Sequence, residues 1–112
     1  MLSLFILSVP PKIDANNASD YGLSVVAGQT AEIVCAVTGI PEPTIAWYKD
    51  GFEIDLIDMP EIHLFDDGKR LEIISTEVTD AATYRCRAKN EAGSATRDFQ
   101  LHVLGKLKQF IS

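Results

Sequence analysis

Short stretches of this chain alternate apolar and polar side chains with a period of two. Ala31, Ile33, Cys35 and Val37 alternate with Glu32, Val34 and Ala36. Ile45 and Trp47 alternate with Thr44, Ala46 and Tyr48, and Tyr84, Cys86 and Ala88 with Arg85, Arg87 and Lys89. The same pattern holds around His63, Glu72, Gln100 and His102. A β-strand sends successive side chains to opposite faces, so each stretch reads as a strand with one covered and one largely polar face. No long stretch carries the 3.6-residue period of a surface helix.

Turn signals separate these runs. Ala27-Gly28-Gln29 follows the strand-like Leu23-Ser24-Val25-Val26. Gly39-Ile40-Pro41-Glu42-Pro43 cannot continue a central strand, because proline lacks the donor. Lys49-Asp50-Gly51, Asp66-Asp67-Gly68-Lys69 and Asn90-Glu91-Ala92-Gly93 are tight-turn sequences. About seven short strands at this spacing predict an antiparallel sandwich or barrel. One short helical turn fits within Thr76–Ala82. At 112 residues the chain makes one domain.

Composition narrows the function. The chain is 46% apolar and 23% charged, as a globular protein is. It holds no run of 18 apolar residues, so no membrane-spanning helix or direct membrane insertion is expected. The net charge of −6 speaks against nucleic acid as a partner. That charge is unevenly spread. Asp50, Glu53, Asp55, Asp58, Glu61, Asp66 and Asp67 fall in one window with no Lys or Arg, leaving the remainder at +1. The window lacks EF-hand spacing and reads as solvated loop rather than calcium site. Its Phe52, Ile57, Met59 and Phe65 read as core or edge cover. Two cysteines, with His63 and His102 out of ligand spacing, make no zinc site, and no other metal or cofactor is implied. Gly-x-Ser-x-Gly, Walker, HExxH and GxGxxG motifs are all absent, and no catalytic residue is assigned. Binding or mechanical linkage, not enzymatic activity, is the expectation.

Cys35 and Cys86 sit at inward strand positions, either as a bridge or as buried free thiols. Trp47 lies twelve residues after Cys35, Tyr84 two before Cys86, and Asp80 four before Tyr84. This Cys…Trp…Asp-x-x-x-Tyr-x-Cys order resembles the immunoglobulin domain. Gly39–Gly51, Arg70–Ile74 and Asp80–Gly93 resemble segments of its I-set subclass, and the likeness covers residues 9–104. The resemblance implies an all-β sandwich with Greek-key connections and a Cys35–Cys86 disulfide between its sheets. It further implies that Trp47 fills the space beside the bridge and that the Tyr84 hydroxyl caps backbone near Asp80. Ala82 stands where the family usually has glycine; alanine fits if its φ stays negative.

The ends carry a second pattern. Phe5-Ile6-Leu7-Ser8-Val9 and Phe99-Gln100-Leu101-His102-Val103 share Phe-x-Leu-x-Val, 94 residues apart. Residues 1–8 read as the end of a preceding repeat, with Pro10-Pro11 as a stiff linker, or as a weak signal-like segment. Residues 105–112 read as a tail. Asn17-Ala18-Ser19 is an N-glycosylation sequon.

Arg85, Arg87 and Lys89 should form a basic stripe on one outer face, shared with Tyr48. It offers a contact face for other protein domains or sulfated glycans, or is a solvated face paired to Asp98. The chain resembles repeats of the hemicentin family, which implies an extracellular adhesion or basement-membrane module contacting neighbouring domains. The alternative is an intracellular structural domain of the titin or twitchin kind, cytoplasmic in muscle, with thiols kept reduced.

Overall fold

The computed structural model describes residues 7–14 and 22–105. Ten strands occur among them: β1 (Val9–Ile13), β2 (Leu23–Val26), β3 (Ala31–Val34), β4 (Val37–Ile40), β5 (Thr44–Lys49), β6 (Phe52–Glu53), β7 (Ile62–Phe65), β8 (Arg70–Ile73), β9 (Ala82–Asn90) and β10 (Gly93–Leu104). One layer contains β3-β8-β7 and the pair β1-β4; the other has the order β2-β10-β9-β5-β6. The chain crosses between layers after β1, β2, β4, β6 and β8, and the last three crossings give the Greek-key connectivity of an immunoglobulin sandwich. No helix among the described residues is long and apolar enough to cross a membrane.

The alternating pattern places the core. Ala31, Ile33, Trp47, Leu71, Ile73, Tyr84, Cys86, Ala88, Phe99 and Leu101 are buried between the layers. The side chains between them face out, so β9 alternates buried and exposed along most of its length. Asp50 and Gly51 both have positive φ, 48° and 86°, the conformation a two-residue hairpin of the right twist requires. Lys49 pairs with Phe52 across that hairpin. The helical turn expected after Thr76 is Val78–Asp80, where the Glu77 amide donates to the Asp80 carboxylate at 2.8 Å.

Three expectations need correction. The pairing is antiparallel throughout except that β2 runs parallel to β10. β1 pairs antiparallel with β4 in one layer, whereas β2 joins the edge of the other. A chain that changes layers without reversing direction meets its new neighbour parallel. Second, Pro10 and Pro11 are not a linker but lie inside β1. Pairing shifts register between Val9 and Lys12, so neither proline has to supply a ladder donor. Third, Phe52 and Ile57 are not cover: they are 79% and 88% exposed. Met59 does pack against the core, and Phe65 lies under the Arg70 guanidinium at 4.5 Å.

Candidate interaction face

Cys35 and Cys86 form the disulfide that joins the layers, with their Cα atoms 6.4 Å apart. Trp47 is the register partner of Cys86 on the neighbouring strand, so its indole lies beside the bridge. Its Nε1–H donates to the Gly68 carbonyl at 2.7 Å, and its ring meets Phe99 at 6.0 Å between centroids. The Tyr84 hydroxyl donates to the Asp80 carbonyl at 2.6 Å. Burial, then the nearby carboxylates of Asp80, Asp50 and Glu61, push the phenol pKa up. Ala82 is absent from the positive-φ residues and pairs with Leu101, so alanine is accommodated there. These side chains hold the sandwich; none of them presents chemistry to solvent.

The surface they support is the outer face of β5, β9 and β10. Register fixes its rows. Glu53, Tyr48, Arg85 and Asp98 lie across the first; Ala46, Arg87 and Thr96 across the second; Thr44, Lys89 and Ser94 across the third. All four residues expected on this face are there, with Tyr48 half-buried and the three cations exposed. The cations are not equivalent. Arg85 donates twice to the Asp98 carboxylate, at 2.7 and 3.2 Å. That hydrogen bonding raises the Arg85 pKa and lowers that of Asp98. Arg87 and Lys89 have no acidic partner among the described residues. The expected stripe of three cations therefore reduces to two unpaired ones.

Small residues on either side of Arg87 leave two shallow hollows. One, of about 210 Å³, is bounded by Thr44, Ala46, Tyr48, Arg87 and Lys89. The other, of about 340 Å³, is bounded by Tyr48, Gly51, Arg85, Arg87, Ser94 and Thr96. A larger cavity of about 600 Å³ lies on the other layer, lined partly by Lys12, Asp66, Lys69 and Arg70. Two of its cations are already engaged: Lys69 pairs with Glu42 at 2.9 Å, and Arg70 with Asp66 and Glu72. The acidic window runs from the β5–β6 hairpin through β7, at the edge of the first face. Glu53, Asp55 and Asp58 are exposed and have no basic partner among the described residues. No group of three or more His, Cys, Asp or Glu among the described residues is placed to hold a metal ion. Asn17 lies outside the described residues, as does most of 1–8 and 105–112.

Sequence reasoning missed two polar anchors. Thr76 is buried and donates from Oγ1 to the Gln29 carbonyl at 2.8 Å. Asn90 donates from Nδ2 to the carbonyls of Val9 and Pro41, at 2.8 and 3.0 Å. Neither contact is visible locally, because each spans more than 45 residues. The turn sequence around Asn90 was the one available signal.

The sandwich, the bridge and the tyrosine contact together define an immunoglobulin domain. The chain belongs to the immunoglobulin I-set domain family, whose match spans residues 16–103. It is similar to human hemicentin-1, 35% identical over 95 residues that cover 85% of this chain. It is also similar to human neural cell adhesion molecule 1, 36% identical over 104 residues and 92% of this chain. The chain spans only 2% and 12% of those two relatives. Among solved structures, a chain of a titin–obscurin-like 1 Ig mutant complex superposes with a TM-score of 0.77 and 30% identity, covering 91% of this chain and all of that one. The family comprises structural and adhesion modules that work by contact with other proteins.

Proposed function

We propose that this domain is an extracellular adhesion- or matrix-type module, a repeat of a longer chain that acts by contact with neighbouring protein domains. The observation that carries the reading is the buried Cys35–Cys86 bridge, which forms and persists in oxidising compartments. The likeness to hemicentin-1 and neural cell adhesion molecule 1 supports it, as does the Asn17-Ala18-Ser19 sequon. In this reading residues 1–8 end a preceding repeat and residues 9–104 form the module. The similarity to a titin–obscurin-like 1 complex favours a second reading, a cytoplasmic structural domain whose thiols stay free.

Intact mass of native material, before and after reduction and alkylation, separates the two. A closed bridge with added hexose mass at Asn17 supports secretion. Two alkylatable thiols and no glycan overturn it in favour of the cytoplasmic domain.

A further inference from the structure

We propose that residues 52–61, at the open β6 edge of the sandwich, are a docking surface for a basic segment of another protein, one whose cationic side chains flank an apolar centre. The proposal deepens the protein-contact reading above by naming a surface and the chemistry of its partner, and rests on it only to that extent.

The segment holds two large apolar side chains in solvent. Phe52 and Ile57 are 79% and 88% exposed, whereas Ile54 and Met59 of the same segment pack against the core. The backbone around them is bonded in place. The Ile54 amide donates to the Trp47 carbonyl at 2.9 Å. The Asp58 and Met59 amides donate to the Asp55 carbonyl at 3.1 and 3.0 Å, and the Ile57 amide to Asp55 Oδ1 at 2.9 Å. A turn anchored on both sides thus presents Ile57 outward. β6 is the last strand of its layer, so no neighbouring strand covers Phe52. Large exposed apolar side chains rimmed by polar groups mark contact sites.

The charge around them selects the occupant. Residues 52–61 contain four carboxylates, Glu53, Asp55, Asp58 and Glu61, and no Lys, Arg or His. All four are exposed, and none has a basic partner among the described residues. The cations nearest in register are engaged elsewhere. Lys49, across the hairpin from Phe52, donates to the Thr79 carbonyl at 3.3 Å, and Arg85, in the row of Glu53, pairs with Asp98. A metal ion does not answer this charge, because no three acids among the described residues are placed to hold one. Nucleic acid and anionic lipid are repelled. An uncharged apolar segment would desolvate the carboxylates without replacing the water they lose. A basic segment with an apolar centre covers Phe52 and Ile57 while its long cationic side chains reach the carboxylates and stay hydrated.

A synthetic peptide, Lys-Lys-Leu-Phe-Leu-Lys-Lys, titrated into the isotope-labelled whole chain and followed by amide NMR shifts, tests this. The expected result is a saturable change centred on residues 52–61, with a Kd of about 0.1 mM that rises as salt is added. Lys-Lys-Ser-Gly-Ser-Lys-Lys, which lacks the apolar centre, and Glu-Glu-Leu-Phe-Leu-Glu-Glu, which lacks the cations, should not saturate. Phe52→Ser with Ile57→Ser should weaken binding by about tenfold or more. Glu53→Gln with Asp58→Asn should weaken it by about fivefold and remove much of its salt dependence. All four positions are exposed, so circular dichroism should remain unchanged. An absent or unsaturable response, shifts centred elsewhere, equal binding of either control peptide, or an affinity unmoved by the substitutions would each overturn the proposal. Shifts in residues 52–61 that grow as the chain alone is concentrated would make a second copy the occupant and overturn it too. None of these outcomes touches the module reading, which the intact-mass measurement decides independently.

Discussion

Tyr84 is wholly buried, yet its one polar atom is engaged by the Asp80 carbonyl. Ionising that phenol would place a negative charge in the core, beside a carbonyl and near Asp80, Asp50 and Glu61, and its pKa is accordingly raised. The folded state thus holds its proton above pH 10, where an exposed phenol releases it. This contribution to stability is complete below pH 10 and declines as pH climbs from there towards the folded value. Tyr84→Phe should cost about 1 kcal/mol at pH 7, from the lost hydrogen bond. The gap between the two proteins should narrow above pH 10, because only the wild type has this proton to lose. Urea midpoints from pH 7 to 11 measure it; a gap that stays constant contradicts the assignment. Asp98 behaves in the opposite sense. Its hydrogen bonds from Arg85 lower its pKa, so its contribution is present above the ordinary carboxylate range and lost as pH falls through the folded value. Asp98→Asn should lower the thermal midpoint slightly at pH 7 in low salt, and the difference should shrink as pH falls through the folded value. Strong salt should erase the effect, since both side chains are about half exposed. Cys35, Trp47, Tyr84 and Cys86 were legible in sequence because a period of two assigns each to the inner face. The Trp47 contact with the Gly68 carbonyl was not, since it depends on where a turn 21 residues away comes to rest.

At the scale of elements, one side chain ties the start of β1 to two other segments. Asn90, at the end of β9, bonds the Val9 and Pro41 carbonyls from Nδ2 and accepts the Ala92 amide at Oδ1. One amide thereby joins the first strand, the β4–β5 connection and the β9–β10 turn. Gly39 is required at the same junction: a Cβ there would come within 2.9 Å of Pro43 Cγ and 3.2 Å of the Asn90 amide nitrogen. Asn90→Ala should destabilise the domain by about 2 kcal/mol, from several partly exposed hydrogen bonds. Amide exchange at Lys12 and Ile13 should accelerate while that of β9 stays slow, which hydrogen-exchange mass spectrometry reads directly. Uniform acceleration would mean that β1 opens only with the whole fold. Strands and hairpin turns could be located in sequence because alternation and the Asp50-Gly51 pair are local signals. The parallel β2–β10 pair, the prolines within β1 and the exposure of Phe52 and Ile57 could not. Each depends on which layer or edge a segment occupies, and side-chain parity carries no information about that.

At the scale of the molecule, the disulfide is the one covalent cross-link between side chains of the two layers among the described residues. It closes a separation of 51 residues between strands whose other contacts are apolar. On the chain-entropy account a loop of that length stabilises the fold by about 4 kcal/mol, a large share of what a domain this size possesses. Replacing both Cys35 and Cys86 by alanine should remove roughly that amount, or more, as the alanines also leave a void beside Trp47. Reducing the wild type leaves the sulfur atoms in place and so isolates the contribution of the cross-link. Ile33, Leu71, Ile73 and Leu101 make an apolar core that does not involve the sulfur atoms, so the reduced chain is expected to stay folded and to unfold cooperatively, at a lower urea midpoint. Equal midpoints for the oxidised and reduced forms would show that the fold draws nothing from the bridge, and a domain that needs no bridge is equally suited to a reducing cytosol. A drop of several kcal/mol would tie its working stability to an oxidising environment, the compartment in which contact between neighbouring modules is proposed to occur.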